Sequence, residues 1–159
     1  MKRLCLIILI LVSVSYAKTQ DWLTFKGAWF NIDYPPNFYV KPSMTSSSAS
    51  GYDSAFFISP DSLVTFYVYS PQWSGEPRDI EQNKQTERLV SKSTKEGIDR
   101  LVREVTIRAR NGSYTRSFVD TKGENTRLVF GIRYASKKAY KKYLSDYKRF
   151  KRSIKQFAD

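Results

Sequence analysis

Between residues 101 and 134 the chain alternates its side chains between two faces in three successive runs, and this pattern leaves little choice of local fold. Leu101, Arg103, Val105, Ile107 and Ala109 stand against Val102, Glu104, Thr106, Arg108 and Arg110. Asn111-Gly112 interrupts the pattern, residues 113–120 return, and Lys122-Gly123-Glu124-Asn125 interrupts it again. In the third run, residues 126–134, Leu128, Phe130, Ile132 and Tyr134 share one face. A period of two is the signature of a strand, because successive side chains point to opposite sides of a sheet. Asn-Gly predicts a tight type I′ hairpin, whose two central residues both need positive φ. The segment is therefore expected to be a three-stranded antiparallel meander, and a sheet with an apolar face must bury it against another layer.

The chain supplies such a layer at its C-terminal end. Tyr140, Tyr143, Leu144, Tyr147, Phe150, Ile154 and Phe157 recur at intervals of three and four, which is one face of a helix. The remaining positions are basic: residues 137–155 hold nine Lys or Arg and one acid, Asp146. The aromatic stripe is expected against the sheet.

Upstream, Phe30, Ile32 and Tyr34 alternate with Asn31 and Asp33 until Pro35-Pro36-Asn37 ends the strand, since proline cannot donate to a ladder. Residues 38–40 form a short continuation. Residues 43–51, rich in Ser and Thr, read as a loop. Residues 54–58 and 63–69 flank Ser59-Pro60-Asp61-Ser62 and predict a hairpin with a proline-initiated turn. A long connection with Pro71, Trp73, Gly75 and Pro77 follows. Residues 79–98 are polar, and a short helix is expected over residues 80–90. The fold class is α+β: an antiparallel sheet of N-terminal strands plus the meander, covered by the C-terminal amphipathic helix in an α/β sandwich.

The segment Phe30-Asn31-Ile32-Asp33-Tyr34-Pro35-Pro36-Asn37-Phe38, an apolar strand running into Tyr-Pro and a short turn, resembles the opening of the PsbP/Mog1-like superfamily. Tyr147, Phe150, Ile154 and Phe157 resemble that family's closing helix, whose apolar face covers the sheet. The resemblance spans residues 18–159. It implies an α/β sandwich around an antiparallel sheet, usually serving as a binding or assembly factor. Plant members act in the thylakoid lumen on photosystem II. No residue of this chain matches their ion-binding positions.

The first seventeen residues read as a secretory signal peptide. Lys2 and Arg3 precede an apolar run over residues 4–14, and Ser15-Tyr16-Ala17 places small residues at the −3 and −1 positions before Lys18. As a helix, residues 4–17 would span roughly 21 Å at about 1.5 Å per residue. That is short of the roughly 30 Å hydrocarbon core, so cleavage is expected rather than a membrane anchor. Residues 18–159 are then a single exported domain without a transmembrane segment, and Cys5 leaves with the leader. A cysteine-free exported domain suits a bacterial periplasm or an extracellular setting better than a disulfide-rich secretory one. Removing Lys2 and Arg3 lowers the net charge from +12 to +10.

With no histidine, and no cysteine after the leader, the usual zinc, copper, haem and iron–sulfur ligand sets are missing, and no cofactor or metal is expected. The usual base near neutral pH is missing too. The function expected is therefore a monomeric, non-catalytic binding or assembly domain with a basic surface for an anionic partner: envelope lipid head groups, an acidic protein or another polyanion. Its candidate residues are Lys138, Lys141, Lys142, Lys148, Arg149 and Arg152 on the terminal helix. The same pattern also describes a solvated face whose lysine stems cover apolar surface. Arg103, Arg108, Arg110, Arg116, Arg127 and Arg133 lie on the meander, where neighbouring strands could gather several on one face beside Tyr114, an arrangement suited to phosphate or sugar-phosphate recognition and equally that of an exposed sheet face kept from edge aggregation by its charge. Two other readings stand beside these. One is a hydrolase that works without histidine. The other is a protein-docking module acting through the Trp73 loop, with Tyr67, Tyr69 and Trp73 as its candidate contacts.

Overall fold

A computed structural model describes residues 21–73 and 75–157. The leader expected at residues 1–17 lies outside the described residues. Among the described residues, ten strands and one α-helix follow one another. The small sheet is antiparallel, with β2 (Phe30–Tyr34) between β1 (Leu23–Lys26) and β10 (Lys155–Gln156). The large sheet has seven strands: β3 (Tyr39–Pro42), β4 (Ser54–Ile58), β5 (Val64–Tyr69), β6 (Glu87–Glu96), β7 (Arg100–Ala109), β8 (Thr115–Gly123) and β9 (Arg127–Tyr134). Their spatial order is β3-β4-β5-β9-β8-β7-β6, and every pair is antiparallel.

Helix α1 (Lys137–Arg152) packs over β5 and β9 and against β2. It starts where Ser136 caps it: the Ser136 hydroxyl accepts from the Ala139 N–H at 3.1 Å. Phe30, Ile32, Phe57, Phe66, Tyr143, Tyr147 and Phe150 fill the space between helix and sheets. At the helix N-terminal end, Asp61 in the β4–β5 turn accepts from Lys142 Nζ at 2.8 Å and from the Tyr143 hydroxyl at 2.9 Å, tying that hairpin to the helix.

The register of β7, β8 and β9 explains why one helix does not cover the whole sheet. Arg103 faces Asp120, and Asp120 faces Val129. The odd positions of β7 and the odd positions of β9 therefore share a face, whereas Leu128, Phe130 and Ile132 point the other way, toward the helix. The apolar stripe of β7 is thus buried on the far side. There Tyr67, Tyr69, Phe118 and Val129 form a second cluster with Ile80 packed on it. Gly131 makes room in this layer: a Cβ there would lie 2.5 Å from the Phe118 ring.

The cover on this side is the connection from Ser70 to Thr86, pinned by charged side chains. Arg116 donates to the carbonyls of Ile80 and Glu81, both at 3.0 Å, and to Glu87 Oε2 at 2.7 Å. Arg127 forks onto both oxygens of Asp120, at 3.0 and 2.8 Å, and also reaches Glu76 and the carbonyl of Gly75. Asp79 accepts from the Tyr67 hydroxyl at 2.6 Å and the Ser54 hydroxyl at 2.7 Å.

Two expectations need correction. Residues 80–90 are not a helix: a single 3-10 turn occupies Arg78–Ile80, and the chain then enters β6. β6 is an edge strand exposed over nearly its whole length, so neither of its faces needs apolar residues and the period-two signal is absent. The meander accordingly has four strands rather than three. The Asn111-Gly112 turn does close a hairpin, but not as type I′. Gly112 has φ +76° while Asn111 stays outside the positive region. The Asn111 Oδ1 instead accepts from the backbone and hydroxyl of Ser113, at 3.0 and 2.7 Å, in a longer loop between Ala109 and Thr115.

Candidate functional site

The outer face of α1 carries the strongest charge pattern of the described residues. At 3.6 residues per turn, Lys137, Lys148, Lys141, Arg152, Lys138, Arg149 and Lys142 fall within an arc of about 140°. All seven are exposed, and Ser145 is the uncharged residue among them. Asp146 lies on the flank and is half-buried. Burial raises its carboxyl, and the nearby Arg149 works the other way. From Lys138 to Arg152 the row runs about 21 Å along the helix axis.

All six helix residues expected from the sequence therefore share one surface, but they do not share one role. Lys142 pairs with Asp61, which holds that carboxyl well below the ordinary range and raises the lysine. The Arg149 guanidinium lies over the Trp22 ring at 4.3 Å. Lys138, Lys141, Lys148 and Arg152 form no ion pair among the described residues and point their charge into solvent. Arg149, Lys151 and Arg152 also complement the negative end of the helix dipole.

The Trp73 loop is arranged differently from expectation. Tyr67 and Tyr69 are each 2% exposed and sit in the second core cluster beneath the connection. Burial and the adjacent Asp79 push the Tyr67 hydroxyl far up; burial pushes Tyr69 up to about 12. Trp73 is 55% exposed and, of the three, presents the open surface. It borders a cleft of about 430 Å³ with Met44, Pro71, Arg78 and Asp53. Burial raises Asp53, partly offset by Ser46, and its Oδ1 has no hydrogen-bond partner among the described residues.

The meander arginines take different partners. Arg116 and Arg127 are clamps for the connection, Arg133 stacks on Tyr114 at 4.2 Å, and Arg110 donates to the Lys84 carbonyl. Glu87, which sequence reasoning did not single out, is the centre of one clamp. Burial works to raise it, yet the bonds from Arg116, the Tyr114 hydroxyl and the Asn83 N–H hold it below its ordinary value. Its only sequence mark is an acid at the start of a polar run. Among the described residues no group of three acids is placed to hold a metal ion, and no helix is long and apolar enough to cross a membrane.

The fold has a counterpart among solved structures. The solution structure of cyanobacterial PsbP (CyanoP) from Synechocystis sp. PCC 6803 superposes with a TM-score of 0.52 at 9% identity, covering 92% of this chain and 99% of that one. The PsbP-like α+β sandwich inferred from the Tyr-Pro strand and the closing helix is the fold this chain adopts. No family model matches the chain, and no curated protein matches it in sequence.

Proposed function

We propose that this chain is an exported, non-catalytic binding domain that docks on an anionic envelope surface through the outer face of α1. The observation that carries the reading is the row Lys138, Lys141, Lys148 and Arg152: four solvent-facing cations with no ion pair among the described residues, on a helix whose other face is locked into the core. Cations free of protein partners keep their full attraction for anionic lipid, about 1 kcal/mol each near such a surface. Export comes from the leader pattern, and a binding role fits the PsbP-like fold. The domain, residues 18–159, acts as a monomer in this account.

Co-sedimentation with vesicles tests it. The protein should pellet with phosphatidylglycerol-containing vesicles at low salt, should release as salt rises, and should not pellet with pure phosphatidylcholine. Failure to pellet with anionic vesicles at low salt would remove the basis of the proposal.

The exposure of Trp73 favours a second reading, docking of a protein through the Trp73 loop. Trp73→Ala should leave vesicle binding unchanged while weakening any protein complex formed by the domain.

A further inference from the structure

The far side of the sheet holds a cavity of about 310 Å³ between the connection and strands β6–β9. Its floor is apolar: Val105 and Ile107 of β7, Phe118 of β8 and Val129 of β9, with Ile80 and Leu89 at its sides. That size lies at the lower end of small-ligand sites. Three basic side chains line it: Arg103, Arg127 and Lys92. Arg127 is fully committed to Asp120, Glu76 and the Gly75 carbonyl.

Among the described residues, Arg103 has no hydrogen-bond or ion-pair partner. The carboxylate opposite it in the ladder is Asp120, and both oxygens of Asp120 are taken by Arg127. Glu76 is bound to Arg127 as well, and Glu81, the remaining acid on the wall, forms no ion pair with Arg103. The Arg103 Nε is buried and has no hydrogen-bond partner. A buried guanidinium N–H without an acceptor is costly, and native proteins rarely leave one so. The neighbouring Lys92 adds a second cation at the exposed β6 side of the cavity.

We propose that this cavity binds a small amphiphilic carboxylate. The carboxylate would accept from the Arg103 guanidinium where it lines the cavity, a planar fork that can match a carboxylate in two parallel hydrogen bonds. Its apolar body would lie on Val105, Ile107, Phe118 and Val129. This site is on the opposite side of the sheet from α1 and stands independently of the docking face proposed above.

Isothermal titration of the full-length mature domain with decanoate, decanol and acetate tests it. Decanoate should bind, decanol should bind more weakly, and acetate should not bind measurably. Arg103→Gln should weaken decanoate by about 10–100-fold, the worth of a charged hydrogen bond, and leave decanol unchanged. Val105→Trp keeps Arg103 but fills the apolar floor, so it should abolish decanoate binding. Thermal melts of both variants establish that they fold. A domain reversed in charge at Lys138, Lys141, Lys148 and Arg152 should bind decanoate like the parent, so loss of vesicle docking and loss of this site are read separately. No decanoate binding to the parent, or equal binding to parent and Arg103→Gln, would overturn the proposal.

Discussion

Replacing Phe150 by alanine removes a ring that joins the helix to three strands of the large sheet. Phe150 is 0% exposed and lies 5.0 Å from Phe57, 5.3 Å from Phe66 and 6.1 Å from Phe130, ring centre to ring centre. Those partners come from β4, β5 and β9, so no single neighbour can collapse into the space left behind. A truncation of this kind costs about 3–5 kcal/mol, a large part of the roughly 5–15 kcal/mol that holds a typical domain folded. For a chain of this length each kcal/mol moves the melting temperature by roughly 2–4 °C, so Phe150→Ala should melt about 6–20 °C below the parent. Far-UV circular dichroism on heating is the assay, with Lys148→Ala as the surface control, expected within about 0.5 kcal/mol of the parent. If Phe150→Ala melted within about 3 °C of the parent, the helix would not be part of the core. Its aromatic face would then be available to a membrane, contrary to the account above.

The Glu87–Arg116 clamp should make the domain acid-sensitive. The folded-state pKa of Glu87 is depressed, so its stabilisation is complete above the ordinary glutamate value of about 4.3 and fades as pH falls through the lower folded value. Glu87→Gln should lower stability at neutral pH, toward the low end of the about 3–5 kcal/mol for breaking a buried pair, and should flatten the stability–pH curve below pH about 4.5; urea melts across pH read both. Amino-terminal sequencing of exported protein should begin at Lys18, and recovery of an intact Met1 form in the membrane fraction would contradict the leader assignment.

Much of this architecture was readable where burial imposes a rhythm. β2, β7 and α1 each bury chiefly one face and show the corresponding period in their residues, whereas β5 and β9 are buried on both, one set of side chains toward the helix and the other toward the connection. β6 has exposed Arg88, Leu89, Val90 and Lys92 in succession, so nothing selects an alternation there. Register was unreadable for a different reason: pairing Arg103 with Asp120 rather than with a neighbour decides which side of the sheet each stripe faces, and no single strand carries that information. The same holds for the site. The exposed helix face followed from spacing alone, but the engagement of Lys142 by Asp61 and of Arg149 by Trp22 joins residues distant in sequence. The burial of Tyr67 and Tyr69 likewise depends on where the connection folds back, through Asp79 and Arg116.

The partnerships of Lys142 and Arg149 also dictate which residues should be reversed. Lys138, Lys141, Lys148 and Arg152 hold no side-chain partner among the described residues, so changing all four to Glu should leave the domain folded, with only the small cost, about 0.3–1 kcal/mol, of placing an acid at the C-terminal end of the helix dipole. At about 1 kcal/mol per basic residue near an anionic surface, their loss removes about 4 kcal/mol, or roughly 10³-fold in affinity, before any repulsion from the new acids. The decisive measurement is the affinity of parent and four-residue variant for phosphatidylglycerol-containing vesicles at about 0.1 M salt, where exposed charges still act across about 10 Å. The account predicts salt-sensitive binding by the parent and none detectable by the folded variant. Equal binding by the two proteins would contradict it and place the contact elsewhere on the domain.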